Sequence, residues 1–190
     1  MSNINDFEIE DGVLTSYEGD GVDVVIPDGV TAIGEAAFYR CDNLRGVVIP
    51  KSVTTIGESA FYGCVNLTKV VISEGVVSIG DEAFMACESL TSIALPNSLI
   101  EIGDSAFYEC LELSKVSLGT SVKVIRESAF YSCNSLAEIV IPDSVEFIGE
   151  EAFELEDPFP DNPAICVRGR PGGYAERYCN EHGIPFFEFV

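Results

Sequence analysis

The sequence predicts one right-handed solenoid of the α/β class, with a parallel sheet on a concave face and short helical turns on a convex face. Three observations predict it. Phenylalanine recurs at 38, 61, 84, 107, 130 and 153, a spacing of 23 residues without insertion. Alanine precedes each one, and further apolar columns keep step: Ile33, Ile56, Ile79, Ile102, Ile125 and Ile148; Val30, Val53, Val76, Leu99, Val122 and Val145; Leu44, Leu67, Leu90, Leu113 and Leu136. Within a unit, Val47 and Ile49 alternate with Gly46 and Val48, the period-two pattern of a short strand. A unit this short cannot bury both faces of its own elements, so stability has to come from stacking on its neighbours.

Residues 1–22 are expected to form an N-terminal cap. Phe7-Glu8-Ile9 and Val13-Leu14-Thr15 flank Glu10-Asp11-Gly12, and Asp-Gly is a hairpin turn signal because both residues tolerate positive φ. Six repeats follow over 23–155, with strands near 24–26, 47–49, 70–72, 93–95, 116–118 and 139–141. All units run in the same direction, so these strands are expected to pair in parallel with the register set by the repeat length. Pro27, Pro50, Pro96 and Pro142 end their strands by removing a ladder donor. Ser73 and Gly119 stand where the other units have Pro, and Arg126 where they have Gly; all three read as drift.

The Gly-acid-x-Ala-Phe segment is expected to form one helical turn, with its acid near the positive N-terminal end and Phe pointing inward. The period fails after Phe153, and 156–190 is expected to form a C-terminal cap. There Glu156 replaces Cys and Pro158, Pro160 and Pro163 break regular structure. Residues 164–168 add a last strand, and Gly173 to His182 reads as a helix closed by Gly183, before an apolar tail from Ile184 to Val190 covers the final turn.

Composition narrows the function. At 190 residues and 47% hydrophobic content the chain can build a sizeable core. A net charge of -22 and a pI near 4.1 argue against nucleic acid and anionic membrane surfaces as partners, because both are bound by clustered Lys and Arg. No stretch approaches the roughly 20 apolar residues of a membrane helix. Met1 to Phe7 lacks a basic segment followed by an apolar one, so neither leader nor anchor is expected in this chain.

Several columns carry residue types that could do chemistry. Cys41, Cys64, Cys87, Cys110 and Cys133 form a row about 5 Å apart, one strand spacing. A zinc site needs four ligands converging on a point, whereas a row of parallel side chains does not converge, and parallel Cβ vectors keep neighbouring sulfurs from pairing. The row reads as small buried hydrophobes. Cys166 and Cys179 leave two readings open, a disulfide in an oxidising compartment or buried free thiols. Glu35, Glu58, Asp81, Asp104, Glu127 and Glu150 line one edge, where helix-start electrostatics explain them better than calcium, whose loops gather several acids and carbonyls in one place. Tyr39, Tyr62, Tyr108 and Tyr131, interrupted by Met85, read as a stack, and His182 as a helix C-terminal residue. No metal or cofactor is expected. Catalysis is not expected either, because columns present repeated residues while a catalytic site needs different groups converging.

The outward side of the strands is the informative surface. Val25, Val48, Val71, Ala94, Ser117 and Val140 form one column, and Asp23, Gly46, Lys69, Ser92, Lys115 and Glu138 another, both expected on the concave side. Two readings stand. An exposed apolar stripe marks a partner site, and Lys69 and Lys115 make this face less negative than the rest; alternatively, valines simply favour strands. The candidate partner-binding residues are Val25, Val48, Val71, Ala94, Ser117, Val140, Lys69 and Lys115.

The unit LTKVVISEGVVSIGDEAFMACES, the opening DGVLTSYEGDGVDVVIPDGVTAIG and the terminal GYAERYCNEHGIPF resemble the BspA-like leucine-rich repeat proteins, the bacterial surface-antigen subtype, over essentially the whole chain. The resemblance implies a non-enzymatic, extracellular or cell-surface protein that binds a protein partner, such as a host matrix or cell-surface protein, and serves adhesion. The alternative it leaves open is a structural spacer or a surface component with weak self-association.

Overall fold

The computed structural model describes residues 4–155 and 165–188, so the expected breaks at Pro158, Pro160 and Pro163 lie outside the described residues. Each 23-residue unit makes one coil with three runs. The first is a strand of three or four residues, the second a strand of two residues, and the third a series of turns.

The first run follows from the alternation Val47 in, Val48 out, Ile49 in. Its strands are Asp23–Val25, Gly46–Ile49, Lys69–Ile72, Ser92–Ala94, Lys115–Ser117 and Glu138–Val140, each starting one residue before its expected position. They pair in parallel with Cα partners 23 residues apart, as in Val48 opposite Val71. The expected single sheet, however, is interrupted twice. Strands 23–25, 46–49 and 69–72 form one ladder, 92–94 and 115–117 a second, and 138–140 joins the terminal strands Cys166–Gly169 and Phe186–Glu188 in a third.

The interruptions have a local cause in the two coils that lack a strand-ending proline. A proline at that position has no N–H to donate and carries a ring that holds the neighbouring coil away. Ser73 keeps its N–H and donates it backwards to the Ile49 carbonyl at 3.1 Å. Gly119 lies so close to the preceding coil that a Cβ on it would sit 2.0 Å from the Pro96 carbonyl oxygen. Both coils thus approach their predecessors closely at this position. Ile26, Leu95 and Ile141 donate to the next coil, at Val48, Ser117 and Arg168. Among the described residues no such bond joins Ile72 to Ala94 or Leu118 to Val140. Ile72 and Leu118 are also only half-buried, whereas Ile26, Ile49, Leu95 and Ile141 in the same column are fully buried. Ser73 and Gly119, which read as drift in sequence, set where the ladder divides.

The second run is continuous. Ala32–Ile33, Thr55–Ile56, Ser78–Ile79, Glu101–Ile102, Val124–Ile125 and Phe147–Ile148 form a parallel ladder, which the antiparallel hairpin Phe7–Glu10 and Val13–Tyr17 extends to eight strands. Asp11 and Gly12 make the hairpin turn with φ of 48° and 82°, both positive as an Asp-Gly turn requires.

Among the described residues the third run contains no helix; the expected helical turns are replaced by a ladder of tight turns. Ala36, Phe38 and Arg40 donate their N–H groups to Glu58, Ala60 and Tyr62 of the next coil at 3.0, 2.7 and 2.8 Å. The intervening Ala37, Tyr39 and Cys41 close turns onto Gly34, Ala36 and Phe38 within the coil. An α-helix would send every N–H back into its own turn, whereas here every second one leaves the coil. Left-handed residues reverse the chain between these bonds, at Ala36, Ser59, Glu82, Ser105, Ser128 and Glu151, with φ between 51° and 56°.

The core runs along the axis inside these three runs. Phe38, Phe61, Phe84, Phe107 and Phe130 are fully buried and stack face to face, with centroids 4.8 to 5.2 Å apart. Tyr17 stacks on Phe38 at one end, and at the other Phe153 meets the edge of Tyr178. Tyr178 belongs to the helix Tyr174–His182, which Gly173 precedes and left-handed Gly183 closes at φ 69°.

Candidate protein-interaction face

The alternation that buries Val24, Val47, Val70, Ile93, Val116 and Ile139 turns the intervening residues outward. Val25, Val48, Val71 and Val140 are 60%, 36%, 39% and 42% exposed, and Ala94 and Ser117 are exposed between them. Register extends this row past Val140 to Arg168 and Phe187, whose ring lies 5.7 Å beneath the Arg168 guanidinium. The second row, Asp23, Gly46, Lys69, Ser92, Lys115 and Glu138, is exposed apart from Gly46.

Charge on this face is unevenly distributed. Glu138 accepts a hydrogen bond from Arg168 Nε at 2.7 Å, so the acid at one end is matched. Between Asp23 and Glu138 the outward residues of both rows include Lys69 and Lys115 and no carboxylate. Among the described residues, neither lysine has an ion-pair partner, while Lys123, Arg126, Arg168 and Arg170 are paired with Glu146, Glu101, Glu138 and Asp143. In a chain with 32 acidic and 10 basic residues, this is a local reversal of sign. All eight candidate residues lie on this outward face; Arg168 and Phe187, which continue its row by register, fall after the 23-residue period is lost and carry no sequence signal.

The other columns are structural. Cys64, Cys87, Cys110 and Cys133 are buried free thiols that donate to the carbonyls of Phe38, Phe61, Phe84 and Phe107 at 3.0 to 3.2 Å. Burial pushes the Cys64 thiol up to about 12 and raises Cys87 and Cys110 well above the ordinary thiol range. Low-pKa reactivity of the kind catalytic cysteines need is thereby suppressed. Cys166 and Cys179 are both free. Two members of the acidic column bond between coils: Asp81 accepts from the Asp104 N–H at 2.8 Å, and Asp104 from the Glu127 N–H at 3.1 Å. Among the described residues no group of three or more His, Cys, Asp or Glu side chains could hold a metal ion. Tyr39 stacks on Tyr62 and Tyr108 on Tyr131, with Met85 between the pairs. His182, in the last helical turn, stacks on Tyr178 with its Nδ1 3.7 Å from Glu154 Oε1.

Coils held by ladders on two sides, with one outward face that is apolar and locally cationic, define a repeat solenoid. The chain belongs to the BspA type leucine rich repeat family, whose sequence profile matches residues 17–83 and 54–157 in six copies. It is similar to the Leucine Rich Repeat protein of T. pallidum, at 31% identity and a TM-score of 0.62 over 88% of this chain and 70% of that one. It is also similar to a leucine rich cell surface protein of Faecalibacterium prausnitzii, at 28% identity and a TM-score of 0.57 over 89% of this chain and 52% of that one. The pneumococcal vaccine antigen PcpA, at 24% identity and a TM-score of 0.67 over 87% and 47% of the two chains, shares the fold. A search of curated proteins finds no match. No helix among the described residues is long and apolar enough to cross a membrane.

Proposed function

We propose that this chain is a non-enzymatic binding module that takes a protein partner on its long-strand face and acts at a cell surface, in adhesion or partner recognition. The observation that carries the reading is the exposed row Val25, Val48, Val71, Ala94 and Val140 in a chain of net charge -22. Contiguous exposed apolar side chains mark interaction sites. A surface location is supported by the F. prausnitzii relative, itself described as a cell surface protein. The reading takes 23–155 as the repeats of one right-handed solenoid whose long-strand face is concave, with 1–22 and 156–190 as its caps. Changing Val48, Val71 and Val140 together to Glu should abolish binding to partners recovered from host matrix and cell-surface fractions. Unchanged binding to every recovered partner would move the site off this face.

A second reading, a self-associating surface component, is favoured by the ends of that face. Among the described residues, Asp23–Val25 and Phe186–Glu188 have ladder partners on one side only, and Val25 and Phe187 are 60% and 52% exposed there. Sedimentation that depends on concentration supports this reading, and a strict monomer at high concentration removes it.

A further inference from the structure

We infer that the long-strand face is built for a protein segment bearing aliphatic side chains and two carboxylates about 10 Å apart, which Lys69 and Lys115 receive. This inference rests on the face being the binding surface, as proposed above.

Three observations converge on the same two coils. Lys69 and Lys115 project from them, exposed and without an ion-pair partner among the described residues. These coils are also the ones whose ladder to the following coil is interrupted. In them, too, the column of Ile26, Ile49, Leu95 and Ile141 loosens to half-buried Ile72 and Leu118. The face thus carries one free ammonium on each of the two coils whose ladder is broken, two coils apart. At roughly 4.8 Å per strand the two lysines stand about 10 Å from each other.

Charge complementarity selects the occupant. The outward positions between Asp23 and Glu138 hold two cations and no anion; Glu138, one coil beyond Lys115, is paired with Arg168, and Asp23, two coils before Lys69, leans over Gly46, neither forming an ion pair with either lysine. A basic partner would meet like charge here and find better sites on the acidic remainder of the molecule. An acidic partner would be repelled by most of that remainder and accepted on this strip. Salt at physiological strength screens charges beyond about 8 Å, so the strip and not the net charge governs contact. A helix laid along the solenoid presents carboxylates at i and i+7, about 10.5 Å apart, with aliphatics at i+3 and i+4 on the same face. Such spacing meets both lysines and the Val71–Ala94 stretch beside them.

The test pans a random peptide-display library against the whole chain, then titrates the recovered peptides against it and two variants, Lys69→Glu/Lys115→Glu and Val48→Asp/Val71→Asp. Circular dichroism confirms that both variants fold, as substitutions at exposed sites should permit. The expected result is a set of peptides enriched in Asp and Glu beside aliphatics. Their affinity falls at least tenfold for the lysine variant, and it weakens as salt is raised. Peptides that lose binding to the valine variant but bind the lysine variant unchanged would overturn the acidic partner while leaving the face in place. Peptides indifferent to both variants, or none recovered, would overturn both readings.

Discussion

Phe84 and Phe107 stack with their ring centroids 5.2 Å apart and their planes 3° from parallel, at the centre of a column that every coil shares. Each ring is covered above and below by the same residue type, and no coil can replace a lost neighbour from elsewhere. Phe84→Ala leaves a ring-sized cavity between two rings and should cost about 3–5 kcal/mol. The column ends are different, since Phe153 stacks on Phe130 on one side, at 5.7 Å, and meets the edge of Tyr178 on the other. Phe153→Ala should therefore cost less than Phe84→Ala, and urea titrations of the two variants compare them directly.

The glycines that precede the acidic column hold the coils at contact distance. A Cβ on Gly103 would sit 2.5 Å from the Gly80 carbonyl carbon and 2.6 Å from the Asp81 nitrogen, both backbone atoms that cannot rotate away. Gly103→Ala should destabilise by about 1–3 kcal/mol through overpacking. Arg126 already occupies this column one coil on, its guanidinium exposed and paired with Glu101. Arg126→Gly should change stability by less than about 1 kcal/mol, because an exposed ion pair contributes little. Equal effects of the two substitutions in thermal melts would contradict the packing account.

The ladder interruptions make a prediction for amide exchange. Ile26, Leu95 and Ile141 donate their N–H groups to the next coil, whereas no bond joins Ile72 to Ala94 or Leu118 to Val140 among the described residues. The amides of Ile72 and Leu118 should exchange at least tenfold faster than those of Leu95 and Ile141, since protection follows local hydrogen bonding and packing. Equal protection measured by NMR across the column would mean that the sheet is continuous in solution.

The architecture was legible because one period governs it: the Phe, Ile, Val and Leu columns fall at 23 residues, and each returns to the same place in its coil. The candidate face was legible for the same reason, since alternation about Val47 fixes which residues point outward. The turn side was misread as helix. Ala36, Glu82 and Ser105 give no sequence sign of left-handed φ, a region that disfavours any residue with a Cβ. Bonds between coils hold them there, and a pattern confined to one unit does not reveal those bonds. The ladder interruptions depend on how close Ser73 approaches Ile49 and Gly119 approaches Pro96, distances that composition does not encode.

Alkaline pH should unfold the solenoid through its buried thiols. Burial pushes Cys64 and Cys133 up to about 12 and Cys87 and Cys110 well above 9.0, the ordinary value that an unfolded chain would show. Below pH 9 both states carry protonated thiols, so this contribution to stability is fully present. Above it the unfolded chain ionises first and binds fewer protons than the native state, so stability falls as pH rises toward the folded values. Each thiol contributes a slope of about 1.4 kcal/mol per pH unit, and four together about 5–6. Against a typical domain stability of about 5–15 kcal/mol, the fold should be lost within one to three units above pH 9. Replacing the four by Ser removes groups that titrate in this range and leaves hydroxyls able to donate to the carbonyls of Phe38, Phe61, Phe84 and Phe107. The variant should show a flatter dependence of melting temperature on pH between 9 and 11, whatever its absolute stability at pH 7. An unchanged slope would assign alkaline unfolding to other groups, of which Tyr178, also raised by burial, is the first to test.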